Sequence, residues 1–287
     1  MSKKYILVIL LVIIVTCGAV AFLLTSAIAG TERENTGANS RYSSVSREDG
    51  SSYGGNAPDN GIAPPKSAPP ESNIPQEMPV FPEDIALRAL ALLDNSVEVS
   101  SDAMARYISA DGDEEVIRLT LMEIQRISED ICRGLTDERE KLRAISEWTA
   151  RNIYYDYDAR NTSVTEETVC LAHILETRRT VCMGFANLCA ALAEAQGIDC
   201  RVVHGAAVPI GSFSEGDSGE LHEYNVAIID GEPLWFDSLW DTSNGYIMGE
   251  YREGRFREKY FDMELLTLSK NHRADRIEIR EYFGVMD

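Results

Sequence analysis

The sequence predicts an α+β fold in which helices come first and an antiparallel sheet follows. Three observations carry that expectation. Apolar residues recur at helical spacing from Ile85 to Ile153, and again from Phe185 to Leu192. Beyond Gly197 the period shifts to that of strands. Asp230-Gly231 then stands between two apolar runs, a strong signal for a two-residue hairpin.

The elements can be read in order. Pro82-Glu83-Asp84 marks a helix start, with Ile85, Leu87, Leu90 and Leu93 as its apolar residues. A second helix is expected from Glu114 to Cys132, through Val116, Leu119, Ile124 and Ile127. A third runs from Asp137 to Asn152, with Leu142, Ile145 and Trp148 along one side and Ile153 just beyond. Leu171 to Thr177 is a short fourth. Phe185, Leu188, Cys189 and Leu192 form an amphipathic stripe, so Cys182 to Gln196 is a helix with Cys182 in its first turn. Gly197 stands where a left-handed C-cap favours glycine. Cys200–Val208, Tyr224–Ile229 and Leu234–Ser238 are the strands. Together these place one globular domain over residues 81–287.

What precedes that domain is different in kind. Tyr5 to Ala29 is an uncharged apolar run of about 25 residues, longer than the ~20 a bilayer-spanning helix needs. Lys3 and Lys4 precede it, so the positive-inside rule puts the remainder of the chain outside the cell. Residues 1–30 are therefore expected to be a membrane anchor. Ala27-Ile28-Ala29 offers the alternative of signal cleavage and release. Residues 31–80 are rich in Ser, Asn, Gly and Pro and poor in large apolar side chains, the composition of a disordered tether. Fifty such residues would span roughly 40 Å root-mean-square.

The net charge is −20, which excludes nucleic acid as a partner, because phosphate binding needs clustered Lys and Arg. It also excludes flat docking on anionic lipid. Membrane contact is expected through residues 5–29 alone. Cys132, Cys170, Cys189 and Cys200 could pair in an oxidising compartment, with three pairings open. Cys189 lies on an apolar helix face and reads as a small buried hydrophobe. No cysteine or histidine spacing matches structural zinc, and neither metal nor cofactor is expected.

The chemistry begins at Cys182. A thiol at a helix start lies at the positive end of the macrodipole, which favours thiolate, and the helix start supplies backbone N–H groups for an oxyanion. Placing Asp230-Gly231 in the turn pairs Ile229 with Glu232 and sets Tyr224 opposite Asp237. His222 then shares a sheet face with Asp237 and lies diagonal to it, within side-chain reach. A one-residue slip would separate them. Cysteine, histidine and aspartate form a known set of nucleophile, base and orienting group. His173, His204 and His272 read as surface or packing residues. Trp240 reads as cleft wall or core, and Asp241 as a turn cap.

These residues also carry a resemblance. Val181-Cys182-Met183-Gly184-Phe185-Ala186-Asn187-Leu188 and Gly197-Ile198-Asp199-Cys200-Arg201-Val202-Val203-His204-Gly205 resemble the cysteine motif of the transglutaminase-like superfamily. His222-Glu223-Tyr224-Asn225 and Trp235-Phe236-Asp237-Ser238-Leu239-Trp240-Asp241 resemble its histidine and aspartate motifs. Asn152-Ile153-Tyr154-Tyr155-Asp156 resembles the entry to its core, and Tyr260-Phe261 with His272 a tail of many bacterial members. The chain departs from the pattern at Thr180, Tyr224 and Ser238, where Gly, Trp and Pro are frequent. The resemblance implies a papain-like α+β core. It implies Cys182 as nucleophile, His222 as general base and acid, and Asp237 as the group that orients His222. The expected protein is an extracytoplasmic enzyme acting on amide bonds of a protein or peptide, cell-wall peptide included, through a thioester. Hydrolysis is favoured over crosslinking. The alternative is a tethered binding module that keeps the triad without turnover.

Overall fold

The computed structural model describes residues 81–214 and 216–286. The expected anchor and tether lie outside the described residues. Among the described residues, no helix is long and apolar enough to cross a membrane.

The chain is mixed α+β, with its helices ahead of most of its strands. Helices α1 (Pro82–Asp94), α2 (Ser101–Ile108), α3 (Glu114–Ile131) and α4 (Glu138–Asn152) come first. Asp113 and Asp137 cap α3 and α4, each accepting a hydrogen bond at 2.9 Å from a backbone N–H three residues on. Short helices α5 (Tyr157–Thr162), α6 (Glu166–Val169) and α7 (Leu171–Thr177) lead to α8 (Cys182–Glu194). Gly197 adopts φ 76° just past α8, as the sequence predicts.

Six strands form the main sheet in the order β1-β10-β4-β5-β6-β9. They are β1 (Val97–Glu98), β4 (Asp199–Ala207), β5 (Glu220–Ile229), β6 (Glu232–Phe236), β9 (Phe261–Met263) and β10 (His272–Ile279). Within this sheet β1 and β10 are the one parallel pair among the described residues. A smaller sheet joins β3 (Arg179–Thr180), β2 (Tyr154–Asp156), β7 (Gly245–Ile247) and β8 (Glu250–Arg252). A last short helix, α9 (Leu265–Leu268), precedes β10.

The hairpin has the expected register, with Ile229 opposite Glu232 and Asn225 opposite Phe236. Asp230 and Gly231 both take positive φ, 53° and 83°, as a tight primed turn requires. The sequence did not anticipate β10, which inserts between the short edge strand β1 and β4. Its run His272-Arg273-Ala274-Asp275-Arg276 is too charged to read as an interior strand.

The two faces of the sheet bury different cores. On one face α8 packs against β4 and β5, backed by α3 and α4, around Leu121, Ile145, Phe185, Leu192, Ala227 and Phe236. On the other, Ala89 of α1 joins Val203, Tyr224, Val226, Trp235 and Ile277. Side chains alternate along a strand. Residues 224 and 226 of β5 therefore face α1, and residues 225, 227 and 229 face α8. The expected helix faces need correction. In α1 only Ile85 and Ala89 are buried, while Leu87 and Leu90 are exposed. In α3 the buried side is Ile117, Leu121, Ile124 and Ile127, with Val116 and Leu119 outside. Both helices carry apolar residues beyond the stripe they bury, and periodicity alone could not choose between the stripes.

Candidate active site

Cys182 is the first residue of α8. A close approach of chain to chain sets its position. A Cβ on Gly184 would lie 1.9 Å from Thr180 Oγ1, so only glycine lets the first turn of α8 lie against β3. Thr180 is wholly buried, and its hydroxyl donates to the Thr168 carbonyl at 2.7 Å. Asn225 then ties α8 to the sheet, its Nδ2 donating to the Ala186 carbonyl at 3.0 Å.

His222 and Asp237 meet as expected. His222 Nε2 lies 2.6 Å from Asp237 Oδ2, and both residues are buried. A ring nitrogen bonded to a carboxylate carries the proton, which leaves Nδ1 as the acceptor. Asp237 is fixed from three further sides. Its Oδ1 accepts the Trp240 N–H at 3.1 Å, its own N–H donates to the Tyr260 carbonyl at 2.9 Å, and its Oδ2 also meets His272 Nε2 at 3.1 Å. Burial alone would raise the Asp237 pKa, but the two imidazoles hold it well below the usual carboxylate range. Burial lowers His272, although Asp237 opposes that. Trp240 packs on both rings, at 5.4 Å from His222 and 4.3 Å from His272 between centroids.

His272 is thus no loose packing histidine. It is 1% exposed, and its Nδ1 lies 2.8 Å from Asn271. Sequence reasoning missed its role because the residue reaches Asp237 from β10, whose place in the sheet no local signal announced. The ligand atoms of His222, Asp237 and His272 lie within 4.8 Å of one another, a spacing that could hold a metal. Both imidazoles contact the same carboxylate oxygen at N–H···O distances, and we assign them as hydrogen bonds.

Cys182 and His222 line one cleft of about 510 Å³, together with Tyr155, Glu220, Leu221 and Trp240. Within it the thiol bonds elsewhere. Cys182 Sγ donates to Glu223 Oε2 at 2.8 Å, and no hydrogen bond joins it to His222 among the described residues. Burial and the Glu223 carboxylate push the Cys182 thiol well above its ordinary value. The helix start leads one to expect a lowered value; loss of solvent and the neighbouring Glu223 anion act in the opposite direction. Burial, followed by the charge of Cys182, also moves Tyr155 up to about 12. The other described cysteines, Cys132, Cys170, Cys189 and Cys200, are free and buried.

A second chain of buried groups runs back from Glu223. His204 Nδ1 lies 3.5 Å from Glu223, and His204 Nε2 lies 2.9 Å from Glu278. Glu278 also pairs with Arg280 at 2.5 Å. Burial alone would lower His204, yet the two carboxylates hold it above the ordinary imidazole value. Glu278 is brought down to about 2 against its own burial by His204 and Arg280. His204 too was expected to be a packing residue. Asp241 does hold a turn, accepting the N–H groups of Lys259 and Tyr260 at 2.8 Å.

The model of the transglutaminase-like superfamily matches residues 125–237. Those residues are a transglutaminase-like domain. The match runs from within α3 to Asp237 and takes in Cys182 and His222, whereas His272 lies beyond it. Mouse kyphoscoliosis peptidase is 27% identical over 121 residues, which are 42% of this chain and 18% of that protein. Among solved structures, a candidate cysteine protease from Cytophaga hutchinsonii is 22% identical, covering 44% of this chain and 43% of that one, with a TM-score of 0.34. A TGase is 20% identical, covering 52% and 37%, with a TM-score of 0.36. The chain spans less than half the length of each of these proteins.

Proposed function

We propose that the chain is an amide-directed cysteine enzyme with Cys182 as nucleophile, His222 as general base and acid, and Asp237 as the group orienting His222. The observation that carries this is the buried 2.6 Å His222–Asp237 pair in the cleft that Cys182 lines. The pair keeps a proton on Nε2 and leaves Nδ1 free to take one. The Cys182 proton passes to Nδ1, and the sulfur attacks the amide carbonyl carbon. The C–N bond breaks as His222 returns that proton to the leaving amine. The Cys182 backbone N–H, at the head of α8, is the donor assigned to the oxyanion. Water or a second amine then opens the thioester.

Hydrolysis of a protein or peptide substrate, a cell-wall peptide among the choices, is the favoured outcome over crosslinking. Among the described residues the cleft is open to solvent, which admits water. The apolar run at residues 5–29 supports an anchored, extracytoplasmic enzyme. The test uses the full chain, peptide substrates and a labelled amine, with mass spectrometry to find the adduct. Acyl transfer to Cys182 that vanishes in His222→Ala supports the reading. Label entering the product indicates crosslinking, and plain cleavage indicates hydrolysis. No acylation of Cys182 with any substrate tried rejects it. One observation favours the other reading, a binding module without turnover: the thiol bonds to Glu223 and is held protonated.

A further inference from the structure

Glu223 follows His222 directly, so the two side chains leave β5 on opposite faces. Residues of the Glu223 parity face α8: Asn225 bonds to the Ala186 carbonyl, and Ala227 joins the core under that helix. A thiol at the head of α8 therefore finds Glu223 on its own side of the sheet, and it meets His222 only at the strand's end, in the cleft. Glu223 is a built feature. It is backed by His204 of β4 at 3.5 Å, which is backed by Glu278 of β10 at 2.9 Å and then by Arg280. Arg280 is itself anchored by Asn187 of α8 and by the Tyr107 ring, with 3.8 Å from the guanidinium carbon to the ring centroid. The first turn of α8 adds no acidic or basic side chain. Glu223 bonds the thiol, and the titratable groups that share its cleft are His222, Tyr155, Tyr157, Arg160 and Glu220; those around Glu223 are Cys182, His204 and His222.

We infer that Glu223 is a positioning residue for Cys182, holding the sulfur as a hydrogen-bonded neutral thiol on the α8 side until that contact breaks and the thiol turns to His222. The inference rests on the reading of Cys182 as the nucleophile. The step it governs is a proton transfer: the S–H bond breaks, an N–H bond forms at His222 Nδ1, and the electron pair stays on sulfur. No other reactant is needed. Burial would raise the Glu223 carboxyl, but the bonds from His204 and Cys182 hold it below its ordinary value, so the thiol faces an anion. A thiolate there would stand beside a like charge.

The test measures the rate of Cys182 alkylation by iodoacetamide against pH in the full chain, with the adduct located by mass spectrometry. Glu223→Gln keeps the shape and removes the charge. Its alkylation midpoint should fall by about one pH unit or more, with about a tenfold faster rate near neutral pH. His204→Gln leaves the Glu223 anion less compensated, so its rate should fall below that of the native chain. A Glu223→Gln protein whose midpoint and rate match the native chain overturns the inference, as does a slower one. If Glu223→Gln does not fold, His204→Gln decides: a slower rate supports the inference and an unchanged or faster rate overturns it. A merely structural Glu223 would give slower alkylation or general loss of fold, never a faster and better-ionised thiol. The measurement needs no turnover. A midpoint shift without substrate acylation sinks the enzyme reading alone, and acylation without a shift sinks the role of Glu223 alone.

Discussion

Two buried chains diverge from neighbouring residues of β5 and are built from the same groups in inverted order. On one side His222 meets Asp237, which meets His272: a carboxylate between two imidazoles. On the other, Glu223 meets His204, which meets Glu278: an imidazole between two carboxylates. The first holds its anion at the centre and ends at His222, whose other ring nitrogen is free to accept a proton. The second presents an anion to the thiol and disfavours losing that proton. The same two functional groups thus favour or oppose a thiolate according to which of them terminates the chain, because like charge repels and opposite charge attracts in a site with little water.

The comparison can be broken most severely at Asp237. Asp237→Asn should lower Cys182 acylation by about 10³–10⁴-fold, because the amide no longer fixes the His222 tautomer. A loss under tenfold would mean that the His222 chain does not drive the chemistry. Gly205→Ala strikes both sides together. Gly205 pairs with His222 across β4 and β5 and with Ala274 across β4 and β10. A Cβ there would lie 1.7 Å from the Arg273 carbonyl oxygen, which is backbone and cannot turn aside. The expected cost is about 3 kcal/mol, read by chemical denaturation. A variant as stable as the native chain would show that β10 is not held so closely.

His272→Gln isolates one bond of the first chain. Loss of a hydrogen bond to a charged group corresponds to about 1.5–3 kcal/mol, so kcat should fall about 10–100-fold while KM stays nearly constant. Unchanged kcat would reduce His272 to packing. The smallest effect is expected just beyond the chain, at Asp241. Its carboxyl is raised to about 6, first by burial and then by the nearby charge of Asp237, and its Oδ2 has no hydrogen-bond partner among the described residues. A carboxyl raised in the folded state binds its proton more tightly there than when unfolded. Stability is therefore lost as pH rises from about 4 to about 6. Asp241→Asn should remove that loss, on the order of 1–2 kcal/mol at pH 8 and nothing at pH 4. Parallel melting curves for the two proteins across this range would refute it.

The sequence by itself determined the local and periodic features: α3, α4, α7, α8 with Cys182 at its head, and the β5–β6 hairpin with its turn. Each of these is set by side-chain spacing or by residues that the backbone conformation demands, as at Asp230, Gly231 and Gly197. The His222–Asp237 contact was legible for the same reason, since a two-residue turn fixes register and register fixes face. The tertiary structure alone decided what lies on either side of that pair. His272 and Glu278 arrive on β10, a strand whose charged sequence gives no sign of its place beside β4. The thiol's partner depends on which face of the sheet α8 covers. That choice is made by packing between segments about forty residues apart, and it sets the thiol against the Glu223 carboxylate, a partner that the helix start by itself does not announce.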